Sequence, residues 1–366
     1  MIQATKHIKR IGVLTSGGDC AGLNAAIRAV VHRAIEGYGW EVIGIHEGTQ
    51  GLMERPMKFE ELSLRIFTGN ILRLGGTILG TINKGDPFDF PMADGTTKDR
   101  SNEVIEGIKE LGIDGLIGIG GDGSMKILSR LADQGDFPFI GIPKTIDNDV
   151  AFTEFSIGFA TAVSTVVEAM DRLQPTAASH RRVMILEVMG RDAGHLALNA
   201  GIAGGADVIL IPEIPYSMEK VAEKINSLGE RGRNHALVVC SEAARLVSGE
   251  AATQGAEIGG MERYGGIGHI LGGQIAAATG AETRVTVLGH VQRGGVPTSR
   301  DRLIASAFGV RAVDLMAEGK AGRMVAWQHR DVVEVPLVDV ITRYHSVDVK
   351  GTLVTTARGL GICMGD

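Results

Sequence analysis

The sequence predicts an α/β fold made of two doubly wound, mostly parallel-sheet domains. Short apolar runs alternate with helical patterns along the chain, glycines cluster just after those runs, and charged residues gather where the runs stop. Ile11–Leu14 reads as the first buried strand. Leu23–Ile35 follows, with Leu23, Ala26, Ile27, Val30, Val31, Ala34 and Ile35 on one helical face, and Gly37 ends it. Val42–Ile45, Leu116–Ile119 and Phe137–Ile142 are further strands. A break near Glu154–Gly158 marks a domain boundary. Beyond it Phe159–Leu173 reads as a helix, Val183–Val188 and Asp207–Pro212 as strands, and Met218–Leu228 as a helix. His235–Ser241 and Arg284–Leu288 are strands, and Asp301–Ala317 is a helix. The Gly-rich stretch Gly249–Gly273 carries few strand signals and is expected to be a long loop or a flap around a short helix.

The 366 residues suit about two domains. With 44% hydrophobic and 22% charged residues the composition is that of a soluble globular protein. The net charge of −6 gives no global attraction to nucleic acid or to anionic membranes, so any anion site must be local. Cys20, Cys240 and Cys363 are odd in number and far apart, which fits thiols in a reducing compartment better than a disulfide or zinc site. No apolar core follows the basic residues of Met1–Arg10, and no run approaches the ~18 residues of a membrane span, so a cytoplasmic location is expected.

Thr145-Ile146-Asp147-Asn148-Asp149-Val150 is the most informative stretch. Its acids follow the apolar run Phe137–Pro143, and open parallel sheets bind ligands outside the carboxyl ends of their strands. Asp147 there can accept a proton from a substrate hydroxyl, and Asp149 can help hold a cation; both residue types also favour plain turns. Thr15-Ser16-Gly17-Gly18-Asp19 joins the first strand to the first helix. It is either a tight turn or a phosphate cradle. Gly118-Ile119-Gly120-Gly121-Asp122-Gly123-Ser124 formally matches G-x-G-x-x-G, but Asp122 would repel a bare pyrophosphate. An acid there suits phosphate carried with Mg2+. Loops of this GGDG type also occur in NAD kinases and diacylglycerol kinases, so the loop indicates a phosphoryl donor without naming the acceptor. Arg182, Arg191, Arg284 and Arg293, with His290, lie at strand ends, and Glu242 ends His235–Ser241. Any one arginine fits a surface ion pair; together they point to a sugar phosphate, with Glu242 accepting from its hydroxyls.

These residues resemble the 6-phosphofructokinases. The matching stretches are Gly12–Asp19, Gly75–Gly80, Gly120–Ser124, Pro143–Asp149, Ile157–Leu173, Glu187–Arg191, Ala203–Gly205 and Val287–Gly295, in family order. The resemblance implies the phosphofructokinase fold, with the active site in the cleft between the domains. It assigns 1–158 plus 292–342 to the phosphoryl donor and 159–291 plus 343–366 to fructose 6-phosphate. It implies transfer of the γ-phosphoryl of ATP, with Mg2+, to the sugar's 1-hydroxyl. Asp147 then matches the general base and Arg191 the arginine on the transferring phosphoryl group, with Thr145, Asp149 and Lys144 beside them. Gly17, Asn83, Lys84, Gly121, Asp122, Gly123 and Ser124 match the donor site, Asp122 being the metal-associated acid. Thr145, Asp147, Met189, Gly190, Arg191, Glu242, His290 and Arg293 match sugar-phosphate contacts. Arg182 and Arg284 match residues supplied by a neighbouring subunit, so a homodimer or homotetramer with shared active sites is implied.

The chain departs from that pattern in three places. It joins Gly123, typical of ATP-using members, to Lys144, typical of pyrophosphate-using ones. Exclusion by an acid at 123 is the stronger effect, so ATP is the expected donor and pyrophosphate the alternative. Asn83, with Lys84 beside it, stands where ATP-using members place an arginine. His32 and Gln174 replace arginines of the effector-sensitive bacterial enzymes, although Arg28 and Arg172 remain. Another GGDG-loop kinase and a non-enzymatic sugar-phosphate sensor are the remaining alternatives.

Overall fold

The computed structural model describes residues 8–83, 85–248, 253–256 and 262–366. The chain divides into two compact units. The first holds residues 1–145, 149–160 and 293–344; the second holds 146–148, 161–292 and 345–366. Ile146–Asn148, inside the range expected for the first domain, groups with the second unit.

Among the described residues, the first unit carries an eight-stranded sheet. Its order is Asp331–Pro336, Arg323–Gln328, Phe139–Thr145, Gly115–Gly120, Arg10–Thr15, Glu41–Ile45 and Phe59–Leu62, with Ile157–Gly158 pairing the end of Phe139–Thr145. The central strands are parallel, and both edges are closed by antiparallel pairs. Continuous burial along Ile11–Thr15 and Gly115–Gly120 is what a parallel sheet covered on both faces requires. Leu14, Ile45, Leu116, Leu128, Phe139 and Met324 belong to one core cluster. Helices Leu23–His32 and Ser299–Ala317 pack closely because Gly309 lacks a side chain: a Cβ there would stand 2.6 Å from Ala29 Cβ and 2.7 Å from the Ala26 carbonyl. The register pairs Thr15 with Ile119 and Gly120 with Pro143. The carboxyl ends of three strands therefore lie side by side, and the glycine loops leave from them.

The second unit carries a parallel sheet ordered Val208–Leu210, Ala236–Ser241, Val183–Val188 and Thr283–Val287. Ile185, Leu210, Tyr216, Val238, Leu271 and Ile275 share its core. Buried Glu187 accepts from the Gly266 and Gly268 N–H groups at 3.0 and 2.8 Å, which satisfies donors at the start of helix Ile267–Thr279. The loop expected over 249–273 needs correction. Thr253–Ala256 and Glu262–Tyr264 pair antiparallel, and Ile267–Thr279 is a full 13-residue helix. Gly265 and Gly266, at φ 135° and 90°, turn the chain into that helix, and Ile267, Leu271 and Ile275 recur every four residues on its buried face. Residues 249–252 and 257–261 of that stretch lie outside the described residues.

Candidate active site

In the first unit the glycine loops and two cations converge. Gly17, at φ 81°, donates its N–H to the Ile82 carbonyl at 3.1 Å, and Thr81 Oγ1 donates to the Gly17 carbonyl at 2.6 Å. The Thr81–Asn83 segment is thus tied to the first loop, with Asn83 exposed on a bend; Lys84 lies outside the described residues. A Cβ on Gly17 would stand 3.3 Å from Ser124 Oγ and 3.4 Å from Lys144 Nζ. Lys144 is only 3% exposed, and its ammonium donates to the Gly18 carbonyl. Arg293 Nη1 donates to the Asp19 carbonyl at 3.2 Å, and its guanidinium leaves no room for a side chain at Gly18. The structure therefore sets Arg293, expected among the sugar-phosphate contacts, against the Gly18–Asp19 backbone of the first unit.

Helix Asp122–Gly135 begins at the second loop, with Gly121 as its N-cap. Asp122 and Gly123 are exposed, and the Asp122 carboxylate accepts the Gly123 N–H at 2.6 Å. A helix start presents N–H groups to an anion. Among the described residues no three His, Cys, Asp or Glu side chains gather to hold a metal. A single exposed carboxylate at a phosphate loop fits Mg2+ that arrives bound to phosphate oxygens and keeps its waters. Buried Cys20 next to this loop donates Sγ–H to the Ile157 carbonyl at 3.3 Å, and burial pushes its thiol up to about 12. It is a packing residue and no nucleophile.

Strand Phe139–Thr145 delivers Thr145 to the sheet edge, and the chain then turns through buried Asp147, Asn148 and Asp149. Asn148 takes φ 55°, a left-handed turn conformation that asparagine tolerates well.

In the second unit the expected residues fall into two groups. Met189, Gly190, Arg191, Glu242 and His290 follow the carboxyl ends of their strands. Gly190 has φ 147°, and a Cβ there would meet the Ala193 carbonyl at 2.6 Å, so only glycine makes this turn. Exposed Arg191 donates its backbone N–H to Glu242 Oε1 at 3.2 Å. Burial raises the Glu242 carboxyl, an effect that hydrogen bonds from the Arg191 and Gly190 backbone only partly oppose. Gln292, 1% exposed, was assigned no role by sequence. It accepts the Met189 N–H at 3.3 Å and donates to the Gly289 carbonyl at 2.9 Å, tying two strand exits together.

Arg182 and Arg284 stand at the opposite ends of those strands. Parallel register pairs Thr283 with Val183, and both arginines bind Glu282, Arg182 at 3.0 Å. A six-residue strand spans roughly 16–20 Å. The expected single arginine constellation is therefore two clusters in one chain. The sequence showed that each arginine lies at a strand end, and the parallel direction of both strands decides which end.

The sequence profile of the family described as Phosphofructokinase matches residues 10–316. The chain belongs to the phosphofructokinase family. A Synechocystis protein named ATP-dependent 6-phosphofructokinase 1 is 61% identical over 98% of this chain and 99% of its own length. A Nostoc protein of the same name is 59% identical, with the same coverage. The crystal structure of Pichia pastoris phosphofructokinase in the T-state superposes with a TM-score of 0.79 at 30% identity, over 98% of this chain. This chain spans 37% of the length of that larger one.

For a phosphofructokinase, a buried acid that stays costly to ionise until substrate arrives has a measurable signature. With Glu242 raised in the folded state, its stability contribution is fully present below the ordinary carboxylate range and is lost as pH rises through the folded value. Glu242→Gln is therefore expected to melt above wild type near pH 7 without substrate, with the gap closing toward acid pH. The same variant should bind fructose 6-phosphate more weakly. Thermal unfolding across pH, beside the KM, checks both halves; a variant less stable at neutral pH would contradict the burial argument.

Proposed function

We propose that this chain transfers the γ-phosphoryl group of ATP to the 1-hydroxyl of fructose 6-phosphate, giving fructose 1,6-bisphosphate and ADP. One observation carries the reading, the full-length likeness to proteins named ATP-dependent 6-phosphofructokinase. Asp147 takes the proton of the attacking hydroxyl, and the Thr145–Asp149 turn orients that hydroxyl. Arg191 stabilises the charge on the group in transfer. Gly17, Gly121, Gly123 and Ser124 receive the nucleotide phosphates, with Asn83 and Lys84 at the margin. Mg2+ would be met at Asp122 and would neutralise phosphate charge. Met189, Gly190, Glu242, His290 and Arg293 serve the sugar phosphate. Gly123 supports ATP over pyrophosphate, since the space around it is open to 4 Å. Parallel kinetics with ATP and pyrophosphate test the donor, and a panel of alcohol acceptors tests against other kinases of the GGDG type. Turnover with pyrophosphate alone would reverse the donor assignment.

The same reading makes the protein a homo-oligomer in the cytoplasm. Among the described residues no helix is long and apolar enough to cross a membrane. Thr283–Val287 is an edge strand with Val287 47% exposed and Val291 beyond it 61% exposed, a surface that a second copy would cover. Arg182 and Arg284, far from Arg191 within one chain, then complete the neighbour's phosphate site. Arg284→Ala is expected to raise the KM for fructose 6-phosphate by the equivalent of about 1.5–3 kcal/mol and to leave that for ATP nearly unchanged. Mixing it with Arg191→Ala should restore some activity where subunits exchange. Equal shifts in both KM values would argue against a sugar-phosphate role.

A further inference from the structure

Two histidines outside the expected site stand behind the Asp147 turn. His195 and His345 stack with ring centroids 4.5 Å apart and planes inclined by 36°. His345 Nδ1 lies 2.9 Å from the Asn148 carbonyl oxygen, and His195 Nε2 lies 3.0 Å from the His345 carbonyl oxygen. Carbonyls only accept, so each of these ring nitrogens carries the proton. The relay runs from His195 through the His345 backbone and ring to Asn148, the left-handed residue following Asp147.

The support for this relay is built in. Glu213 accepts the Gly194 N–H at 3.0 Å and the Val347 N–H at 2.8 Å, so one carboxylate holds the segments carrying both histidines. Gly194 fits this cradle only without a side chain, since a Cβ would meet Ile211 Cβ at 2.4 Å and Glu213 Oε2 at 2.8 Å. His195 is 9% exposed, and burial, with His345 beside it, pushes its imidazole down to about 4. It is neutral near pH 7 and keeps a fixed tautomer. On the other side of the turn Val150 and Tyr344 form an antiparallel bridge.

We propose that His345, backed by His195 and Glu213, is a positioning residue that fixes the Asn148 peptide and thereby aims the Asp147 carboxylate. The inference rests on the reading of Asp147 as the general base. A small misplacement of a reacting group lowers the chemical step and leaves substrate binding largely intact.

Steady-state kinetics with ATP and fructose 6-phosphate test it. His345→Leu removes the donor, and kcat is expected to fall about 10- to 100-fold with both KM values changed little. His345→Asn offers Nδ2 close to the place of the imidazole Nδ1 and should restore roughly a third or more of kcat. His345→Asp, of the same size but without the donor, should resemble His345→Leu and serves if the leucine variant does not fold. In an Asp147→Asn background, His345→Leu should cost no further rate, because the two residues act as one unit. Wild-type kcat in the leucine and aspartate variants, an asparagine variant as slow as they are, KM values moving with kcat, or a full effect persisting without Asp147 would each overturn the proposal. If Asp147→Asn is inactive and His345→Leu is not slowed, only the positioning role fails. If Asp147→Asn turns over normally, the base assignment fails, and this inference falls with it.

Discussion

Asp147→Ser is expected to lower kcat by about 10²–10⁴-fold, the usual loss when a general base is removed. Fructose 6-phosphate binding should stay within a few-fold. The argument begins with position. Thr145 is the last residue of a strand whose neighbours end in the glycine loops, and Asp147 follows it by two residues. Asp147 is 5% exposed, and a carboxylate is seldom buried in a turn for solubility. A purely structural acid would give another result. Its loss would lower the melting temperature and raise KM, while surviving enzyme would turn over normally. Kinetics and thermal unfolding of Asp147→Ser and Asp147→Asn together separate the cases. A serine variant that keeps more than roughly a tenth of wild-type kcat would end the assignment.

Much of the first unit could be read from sequence because its central strands are wholly apolar. The end of the most important strand could not. The apolar run stops at Pro143, but the strand continues through Lys144 to Thr145. Lys144 is buried because its ammonium has the Gly18 carbonyl to bind, a partner that no local pattern announces. Helix Asp122–Gly135 was hidden by its glycine-rich start, although Met125, Leu128, Leu131 and Ala132 make a buried face at helical spacing. The hairpin of Arg323–Gln328 and Asp331–Pro336 carried no turn signal. Its two linking residues, His329 and Arg330, both take positive φ, where Asn-Gly would be usual. Pro175 did not end the helix begun at Phe159, which runs on to His180. Site residues were legible as residue types at strand ends. Distance was not legible, and this is why Arg182 and Arg284 were grouped with Arg191, and why the link from His345 to Asn148, 197 positions apart, had no sequence signal.

The donor is decided at one position. Gly123→Asp is expected to abolish ATP use and to leave, or create, measurable activity with pyrophosphate. The fold should accept the change. Gly123 is exposed in the first turn of a helix, a Cβ there meets nothing within 4 Å, and an acid near a helix N-terminus is favourable. A loss of activity would therefore report on the ligand. A carboxylate within ~4 Å of an α-phosphate repels it by about 4 kcal/mol at an effective dielectric near 20, before any steric clash. Pyrophosphate has no α-phosphate to repel. Lys144 cannot cancel the new charge for ATP, since its ammonium is already buried against the Gly18 carbonyl, on the far side of the loop from open solvent at Gly123. The converse variant, Lys144→Gly, should depress any pyrophosphate activity more than ATP activity. Rates with each donor, measured on wild type and both variants at matched Mg2+, give the comparison. An aspartate variant that still uses ATP at near wild-type kcat/KM would place the α-phosphate elsewhere, and the Asn83 segment tied to Gly17 would become the determinant to change next.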